Sequence, residues 1–392
     1  MDTPAIIGTG LTRFGKYLDT PLHALAGEAV AQALADAGVD QDAIDMAFVA
    51  NAMAGVTTGQ VSVVGQAVLR PLGFTGIPVY NVDNACAASS SALSLALHAL
   101  AAGAAQTVLV VGVEKLYAAD RAASYRALNG AADVDFVQAS GVDVDRESVF
   151  VAAVYPPRLR AYRDRWPDLK AETLAAIAVK NRAHAGLNPV AQYTAPLSID
   201  EVLAARTVVE PITTLMCAPI SDGASAVVVT RGSAVGAGRQ PVWVRGCAVG
   251  MGGAPESAIG RAARRAYAQA GIAPDEISLA EVHDSIAFNE LTAYEELGLC
   301  EPGEGARLVE EGATALGGRL PVNPSGGLES RGHPVAATGL AQIVELATQL
   351  RGEAGPRQVP EARLAVAENA GGFAIDDTAA VAVTVLGARP SR

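Results

Sequence analysis

Ala33-Leu34-Ala35-Asp36-Ala37-Gly38-Val39, followed by Ile44-Asp45-Met46-Ala47-Phe48-Val49, has a counterpart 233 residues later. There the chain reads Ala266-Tyr267-Ala268-Gln269-Ala270-Gly271-Ile272, followed by Ile277-Ser278-Leu279-Ala280-Glu281-Val282, with no gap. In both copies an alanine-rich helix closes on glycine, a short polar link follows, and an apolar strand comes next. An alanine-rich chain produces some such likeness by chance, but a second correspondence runs in step with the first. The helical stretch after Cys86 and the strand Val108-Leu109-Val110-Val111-Gly112-Val113 are echoed by the helix after Gly332-His333-Pro334 and by Leu364-Ala365-Val366-Ala367. Each half therefore predicts an α/β unit, a sheet covered by helices, with reactive groups where strands end and helices begin. Cys86 and His333 fall at helix N-termini in matching places, and a pseudo-twofold axis would bring them face to face.

Composition sets the frame around this duplication. The chain has 392 residues, 50% of them hydrophobic, which fits roughly two or three domain-sized units with large cores. A formal net charge of −12 argues against a nucleic-acid binder, since that affinity rests on clustered Lys and Arg. The opening Met1-Asp2-Thr3-Pro4-Ala5-Ile6-Ile7-Gly8 lacks the basic and apolar regions of a secretory signal, and no apolar run reaches membrane-spanning length. Cys86, Cys217, Cys247 and Cys300 are widely separated, with no C-x-x-C pair and no histidine at zinc-ligand spacing. The expectation is a reduced, cytoplasmic protein without a disulfide framework, a metal or a membrane association.

Residues 118–206 look different from the two halves. They carry Tyr155-Pro156-Pro157-Arg158-Leu159-Arg160-Ala161-Tyr162-Arg163-Asp164-Arg165-Trp166-Pro167 and read as an inserted, largely helical subdomain. Its arginines fit either a phosphorylated ligand or a solvated helix face. After it, Ser221-Asp222-Gly223-Ala224-Ser225-Ala226-Val227-Val228-Val229-Thr230 reads as a turn feeding a buried strand that rejoins the first half. The expected division is residues 1–117 for the N-terminal half, completed by about 207–238, then 118–206 for the insertion and 239–392 for the C-terminal half.

Cys86 stands in Asn84-Ala85-Cys86-Ala87-Ala88-Ser89-Ser90-Ser91, where an apolar run gives way to a helical stretch. Unpaired N–H groups and the helix dipole would favour a reactive thiolate there, while a buried structural cysteine is the plainer alternative. Glu281-Val282-His283-Asp284-Ser285-Ile286-Ala287-Phe288-Asn289-Glu290 puts an imidazole, a carboxylate and a hydroxyl at a strand end. Asn323-Pro324-Ser325-Gly326-Gly327 leads to Ser330-Arg331-Gly332-His333-Pro334-Val335-Ala336-Ala337-Thr338-Gly339, a glycine-rich loop with His333 at the mouth of a helix. Glu368-Asn369-Ala370-Gly371-Gly372-Phe373 offers N–H groups to an oxyanion or simply turns the chain. Gly8-Thr9-Gly10 fails as a dinucleotide fingerprint, because the third glycine would fall at Arg13.

Taken with His184-Ala185-Gly186-Leu187-Asn188-Pro189 and the Asp222-Gly223-Ala224 turn, these motifs resemble the thiolase superfamily, and within it the sterol-carrier-protein-2-type, or lipid-transfer-type, branch. The resemblance spans essentially the whole chain, from Ile7-Gly8-Thr9-Gly10-Leu11-Thr12-Arg13-Phe14-Gly15 to the end. It implies a five-layered αβαβα fold from two duplicated halves, an inserted loop domain that binds coenzyme A, and a homodimer or dimer of dimers. Cys86 matches the acyl-accepting nucleophile. His333 matches its activating base and, with His283, a hole for the thioester oxyanion. The N–H of Cys86 and the Gly371 region match a second such hole. The substrate implied is a CoA thioester, with no tightly bound cofactor.

The sequence departs from that pattern where carbon–carbon chemistry needs a second cysteine. Asn369 stands at the Cys-x-Gly position and Ser285 in the His-Asp-Cys-Phe position, and neither side chain titrates near neutral pH. Deprotonation of an α-carbon then falls to His283, to Asp284 or to the substrate itself, with Ser285 and Asp284 as the uncertain acid/base positions. Cys300 reads as a packing residue. The leading expectation is an acyltransferase working through an acyl-Cys86. The alternatives are a retro-aldolase on a hydroxyacyl-CoA, acting with a small zinc-ribbon and OB-fold companion protein, and a catalytically silent acyl-CoA- or lipid-binding scaffold.

Overall fold

The computed structural model describes residues 2–236 and 240–390. Its strands are β1 (Ala5–Leu11), β2 (Met46–Ala50), β3 (Val79–Val82), β4 (Thr107–Glu114), β5 (Thr207–Val209), β6 (Ile212–Thr213), β7 (Gly223–Thr230), β8 (Val242–Gly250), β9 (Leu279–Glu281), β10 (Leu364–Ala374) and β11 (Asp377–Gly387). β5 and β6 form a separate two-stranded ladder, and the other nine form one sheet in the order β3-β2-β4-β7-β1-β8-β11-β10-β9.

That order is one arrangement written twice. From its middle outward, the first half reads β1-β7-β4-β2-β3 and the second β8-β11-β10-β9, continued by a parallel bridge from Ala280 to Val322. Pairing senses agree as well: β7 and β11 run antiparallel to their neighbours on both sides, while β2–β4 and β9–β10 are parallel. The halves meet edge to edge at Ala5↔Trp243 and Ile6↔Val242, with the Val244 N–H donating to the Pro4 carbonyl at 2.9 Å. The repeated sequence segments occupy equivalent places. The Leu22–Ala37 and Ala258–Ala270 helices both end on a left-handed glycine, Gly38 at φ 65° and Gly271 at φ 66°, a conformation that glycine adopts without steric cost.

Strand faces alternate between two cores, which makes the layers. In the first half Met46, Phe48, Val108, Val110, Val227 and Val229 face a central core, while Val49, Leu109, Val111 and Val228 face the Leu22–Ala37 helix on the outside. In the second half Ala365, Ala367 and Leu386 face the same central core, and Val366, Val381, Val383 and Val385 face the Ala258–Ala270 helix. Between the two sheet portions lie the Ala88–Ala101 and Thr338–Leu350 helices, so the fold has the expected five layers, αβαβα. Burial on both sides explains their composition: in Thr338–Leu350 every residue but Thr348 is buried, and Gln342 Nε2 donates to the Glu368 carbonyl at 2.8 Å while its Oε1 has no partner among the described residues.

The stretch between β4 and β7 contains the helices Arg121–Asn129, Val134–Ser140, Tyr155–Arg165, Ala171–Ala185 and Ile199–Ala204. Leu159, Leu174, Ile177 and Val202 form a core there that also takes in Phe288 and Leu291 of the Ala287–Glu296 helix, so this region is anchored on the second half. β7 then inserts between β4 and β1. The boundary expected at residues 238 and 239 lies outside the described residues.

Candidate active site

Cys86 lies in a 3-10 turn, Ala85–Ala87, that runs directly into the Ala88–Ala101 helix. Asp83 Oδ1 accepts the Ala85 N–H at 2.9 Å and the Asn84 carbonyl accepts the Ala87 N–H at 3.0 Å, which tightens the chain around the cysteine. Ala85 is held at φ 49°, a left-handed conformation costly for a residue with a Cβ. The turn thus aims the thiol at the cavity. It does not ionise it: burial pushes the Cys86 thiol from 9.0 up to about 12, against hydrogen bonds from the Gly372 and Cys86 amides, and Glu114 and Asp83 push the same way as burial. Three units amount to ~4 kcal/mol, more than the ~1 kcal/mol a helix terminus supplies. The resting group is a thiol, and the helix terminus by itself does not make it a thiolate.

His333 is one of two imidazoles beside this thiol. Its backbone N–H donates to Ser221 Oγ at 2.9 Å, and its Nδ1 lies 2.7 Å from Thr338 Oγ1. Thr338 gives its own proton to the Pro334 carbonyl at 3.1 Å, so toward His333 it accepts, and Nδ1 carries the ring hydrogen. Nε2 is left with a lone pair. Burial first, then His283 and Arg331, hold the imidazole neutral by driving its pKa well below 6.5.

His283 is set in the opposite tautomer. Its Nδ1 lies 3.1 Å from Asn369 Nδ2, whose amide is oriented by Ser90 Oγ donating to Asn369 Oδ1 at 2.9 Å. Asn369 therefore donates to Nδ1, and the ring hydrogen of His283 sits on Nε2. Burial lowers the His283 pKa from 6.5 to about 3, so this imidazole is also neutral. The backbone N–H of His283 donates to Glu368 Oε2 at 2.8 Å.

The three side chains converge. Cys86 Sγ and a nitrogen of each imidazole lie within 4.8 Å of one another, and the rings meet edge to face with centroids 5.2 Å apart. Such spacing suits a metal ion, but a hydrogen on His283 Nε2 makes that nitrogen a donor and not a ligand. The arrangement offers one thiol, one acceptor nitrogen for its proton and one N–H donor for an oxyanion. It opens on a cavity of about 690 Å³ whose walls include Met53, Tyr155, Ser285, Val335 and Phe373. Arg121, Arg146, Arg158 and Arg206 also line it, in a chain of net charge −12, as does the buried Arg182, which donates to Ser330 Oγ at 2.9 Å.

The other expected residues divide. Gly371 lines the cavity, and a Cβ there would meet the Ala87 nitrogen at 2.5 Å, so its place is fixed by close approach of β10 to the cysteine turn. The amide facing the sulfur belongs to the next residue, Gly372, at φ 67°. Ser285 lines the cavity, with Oγ 2.8 Å from Tyr155 Oη and accepting from Asn289 Nδ2 at 2.8 Å. Asp284 does not: its fully buried carboxylate accepts the Leu328 N–H at 2.7 Å and Asn181 Nδ2 at 3.0 Å, which fixes the loop leading to His333. His184 is structural, donating from Nδ1 to the Asn323 carbonyl at 2.9 Å and accepting the Leu316 N–H at 3.0 Å. Cys300 packs on the second-half core. Of the arginines in the Tyr155–Pro167 run only Arg158 reaches the cavity, paired with Asp377 at 3.3 Å. Thr338, Ser90 and Tyr155 were not singled out by sequence; only the position of Asn369, in place of a cysteine, carried a signal.

Two family descriptions cover nearly all of this geometry: "Thiolase, N-terminal domain" matches residues 4–233 and "Thiolase C-terminal domain-like" matches residues 251–384. The chain belongs to the thiolase family. Within that family it is 36% identical to sterol carrier protein 2 of Homo sapiens over 394 residues, covering 93% of this chain and 69% of that protein. It is 35% identical to an acetyl-CoA acetyltransferase of Methanothermobacter thermautotrophicus over 378 residues, 94% of this chain and 96% of that thiolase relative. A solved structure described as "Ltp2-ChsH2(DUF35) aldolase" superposes with a TM-score of 0.79 at 25% identity, covering 98% of each chain.

Proposed function

We propose that this thiolase-family protein takes an acyl group from a CoA thioester onto Cys86 and passes it to CoA or to a carbon nucleophile. The observation that carries this reading is the opposed pair of tautomers around one sulfur. His333 Nε2 accepts the Cys86 proton as the thiol attacks the thioester carbonyl, and the developing oxyanion meets the N–H on His283 Nε2. The tetrahedral adduct collapses with loss of the CoA sulfur, which takes the proton from His333; in the second half-reaction the incoming nucleophile's proton passes to His333, and the Cys86 sulfur takes it as the acyl group leaves. Arg121, Arg146 and Arg206 at the cavity give an anionic CoA thioester a place to dock.

Incubation with a panel of acyl-CoAs followed by intact-protein mass measurement tests it. The expected result is a mass increase of one acyl group that disappears in Cys86→Ala. Ligand retention with no adduct on any thioester would instead describe a binding scaffold and end the acyl-transfer reading.

A retro-aldolase on a hydroxyacyl-CoA is the second reading, supported by the likeness to the superposed aldolase structure and by Asn369 and Ser285 at the two cysteine positions. Release of an aldehyde or ketone by Cys86→Ala, with or without an added small zinc-ribbon partner, would favour it.

A further inference from the structure

Acyl transfer to or from carbon needs a proton acid beside the acyl-Cys86 site, and neither Asn369 nor Ser285 provides one alone. We propose that Tyr155 fills this role, with its phenol as the proton donor to the substrate's α-carbon and Ser285 and Asn289 as the groups that position it. The proposal rests on the acyl-transfer reading and adds the residue that reading lacks.

Tyr155 occupies a specific place. It begins the Tyr155–Arg165 helix directly after a π-helical turn, Phe150–Val154, and two prolines follow it. Prolines lack the N–H that would continue the preceding turn's bonding pattern, so the register change falls at Tyr155. The ring packs on Phe150 with centroids 6.2 Å apart and extends into the cavity shared with Cys86 and His333. Its Oη lies 2.8 Å from Ser285 Oγ, the atom standing where the family's second cysteine would be. Asn289 Nδ2 donates to that same Oγ at 2.8 Å and fixes the serine in place; either hydroxyl can donate in the Tyr155–Ser285 pair, and with Ser285 donating the phenol proton is free for the cavity.

The electrostatics agree with this direction. Burial raises the Tyr155 phenol to about 12, against hydrogen bonds from Ser285 and Asn289. A phenol so placed holds its proton at neutral pH and starts each cycle as an acid, while two donors stand ready to stabilise the phenolate it becomes. Cys217, the other thiol on the cavity wall, gives its proton to the Thr213 carbonyl at 3.4 Å and is the weaker candidate.

In the cleavage direction the electrons balance as follows. The Cys86 thiol gives its proton to His333, and the sulfur bonds to the ketone carbon of a 3-ketoacyl-CoA. The carbon–carbon bond breaks, its pair passes to the α-carbon as a thioester enolate, and Tyr155 Oη–H protonates that carbon. The phenolate takes the proton of an incoming CoA thiol, whose sulfur bonds to the acyl carbon. Cys86 leaves as thiolate and recovers its proton from His333.

The test separates this step from loading. Wild type, Tyr155→Phe and Ser285→Ala are incubated in deuterium oxide with acetyl-, propionyl- and succinyl-CoA; acyl-Cys86 is read by intact mass and α-deuterium by mass spectrometry of the thioester. Tyr155→Phe is expected to lower the ratio of α-exchange to loading by about 100-fold or more, and Ser285→Ala by about tenfold. Ser285→Cys in the Tyr155→Phe background is expected to restore exchange. Exchange in Tyr155→Phe within twofold of wild type, or wild type that loads without exchanging, overturns the proposal. Should Tyr155→Phe fail to fold, an unchanged ratio in Ser285→Ala overturns it alone. Wild type that never loads removes the acyl-transfer reading itself, which is a different outcome from either.

Discussion

One hydroxyl and one amide decide what the two imidazoles can do. Thr338 accepts from His333, and Asn369 donates to His283, so chemically identical rings face the sulfur with opposite polarity. The expected consequence of Asn369→Asp follows. A carboxylate accepts and does not donate, so His283 would move its hydrogen to Nδ1 and present a lone pair to the cavity. Loss of one oxyanion donor costs ~10²–10³ in rate. Rapid-quench intact mass should show acylation slowed by that factor with Cys86 still the acceptor, and wild-type rates would mean that His283 Nε2 does not contact the oxyanion. Sequence alone pointed to Cys86, His333 and His283, because thiol and imidazole chemistry is tied to residue type. It left Asn369 as an absence, because an amide's effect depends on which atom it presents, and that is settled by Ser90 from 279 positions away.

At the scale of elements, the two central helices cross where their side chains are smallest. Leu340 N–H donates to Ser89 Oγ at 3.0 Å, and a Cβ on Gly339 would collide with Ser90 Oγ and meet Asn369 Oδ1 at 2.6 Å. Helix packing and the orientation of Asn369 are therefore one contact. Gly339→Ala should destabilise the protein by about 1–3 kcal/mol, read as a shifted urea midpoint, and should slow acylation further than that loss of folded protein explains. A stable variant with full activity would separate the crossing from the site. The glycine and serine content of these helices was visible in the sequence. Their crossing point was not, since it joins positions from different halves that no local pattern relates. Periodicity did reveal the repeated helix–glycine–strand units, because a left-handed cap and a buried strand are local requirements.

For the whole molecule, buried acids set its response to pH. Glu114, on β4, accepts the Ala336 N–H of the other half at 3.3 Å, and burial raises its pKa to about 7; burial raises Glu281 to about 7 and Glu368 to about 8. A folded-state pKa above the unfolded value of 4.5 means that the native form binds the proton more tightly. Stability from Glu368 is then greatest below pH 4.5 and is lost as pH rises toward 8. In Glu368→Gln that component is absent, so the fall in urea midpoint between pH 4.5 and pH 8 should be smaller than in wild type. An equal or larger fall would show that Glu368 ionises freely in the native protein.

The doubled architecture also bears on why the reactive constellation can exist. Two separate copies of a single ancestral unit, related by a true rotation axis, must present the same residue to each other from equivalent spots, sulfur to sulfur or ring to ring. Covalent fusion lifts that constraint. Once both copies share a polypeptide, residue 86 and residue 333 can differentiate independently, and a symmetric contact becomes an acid–base pair.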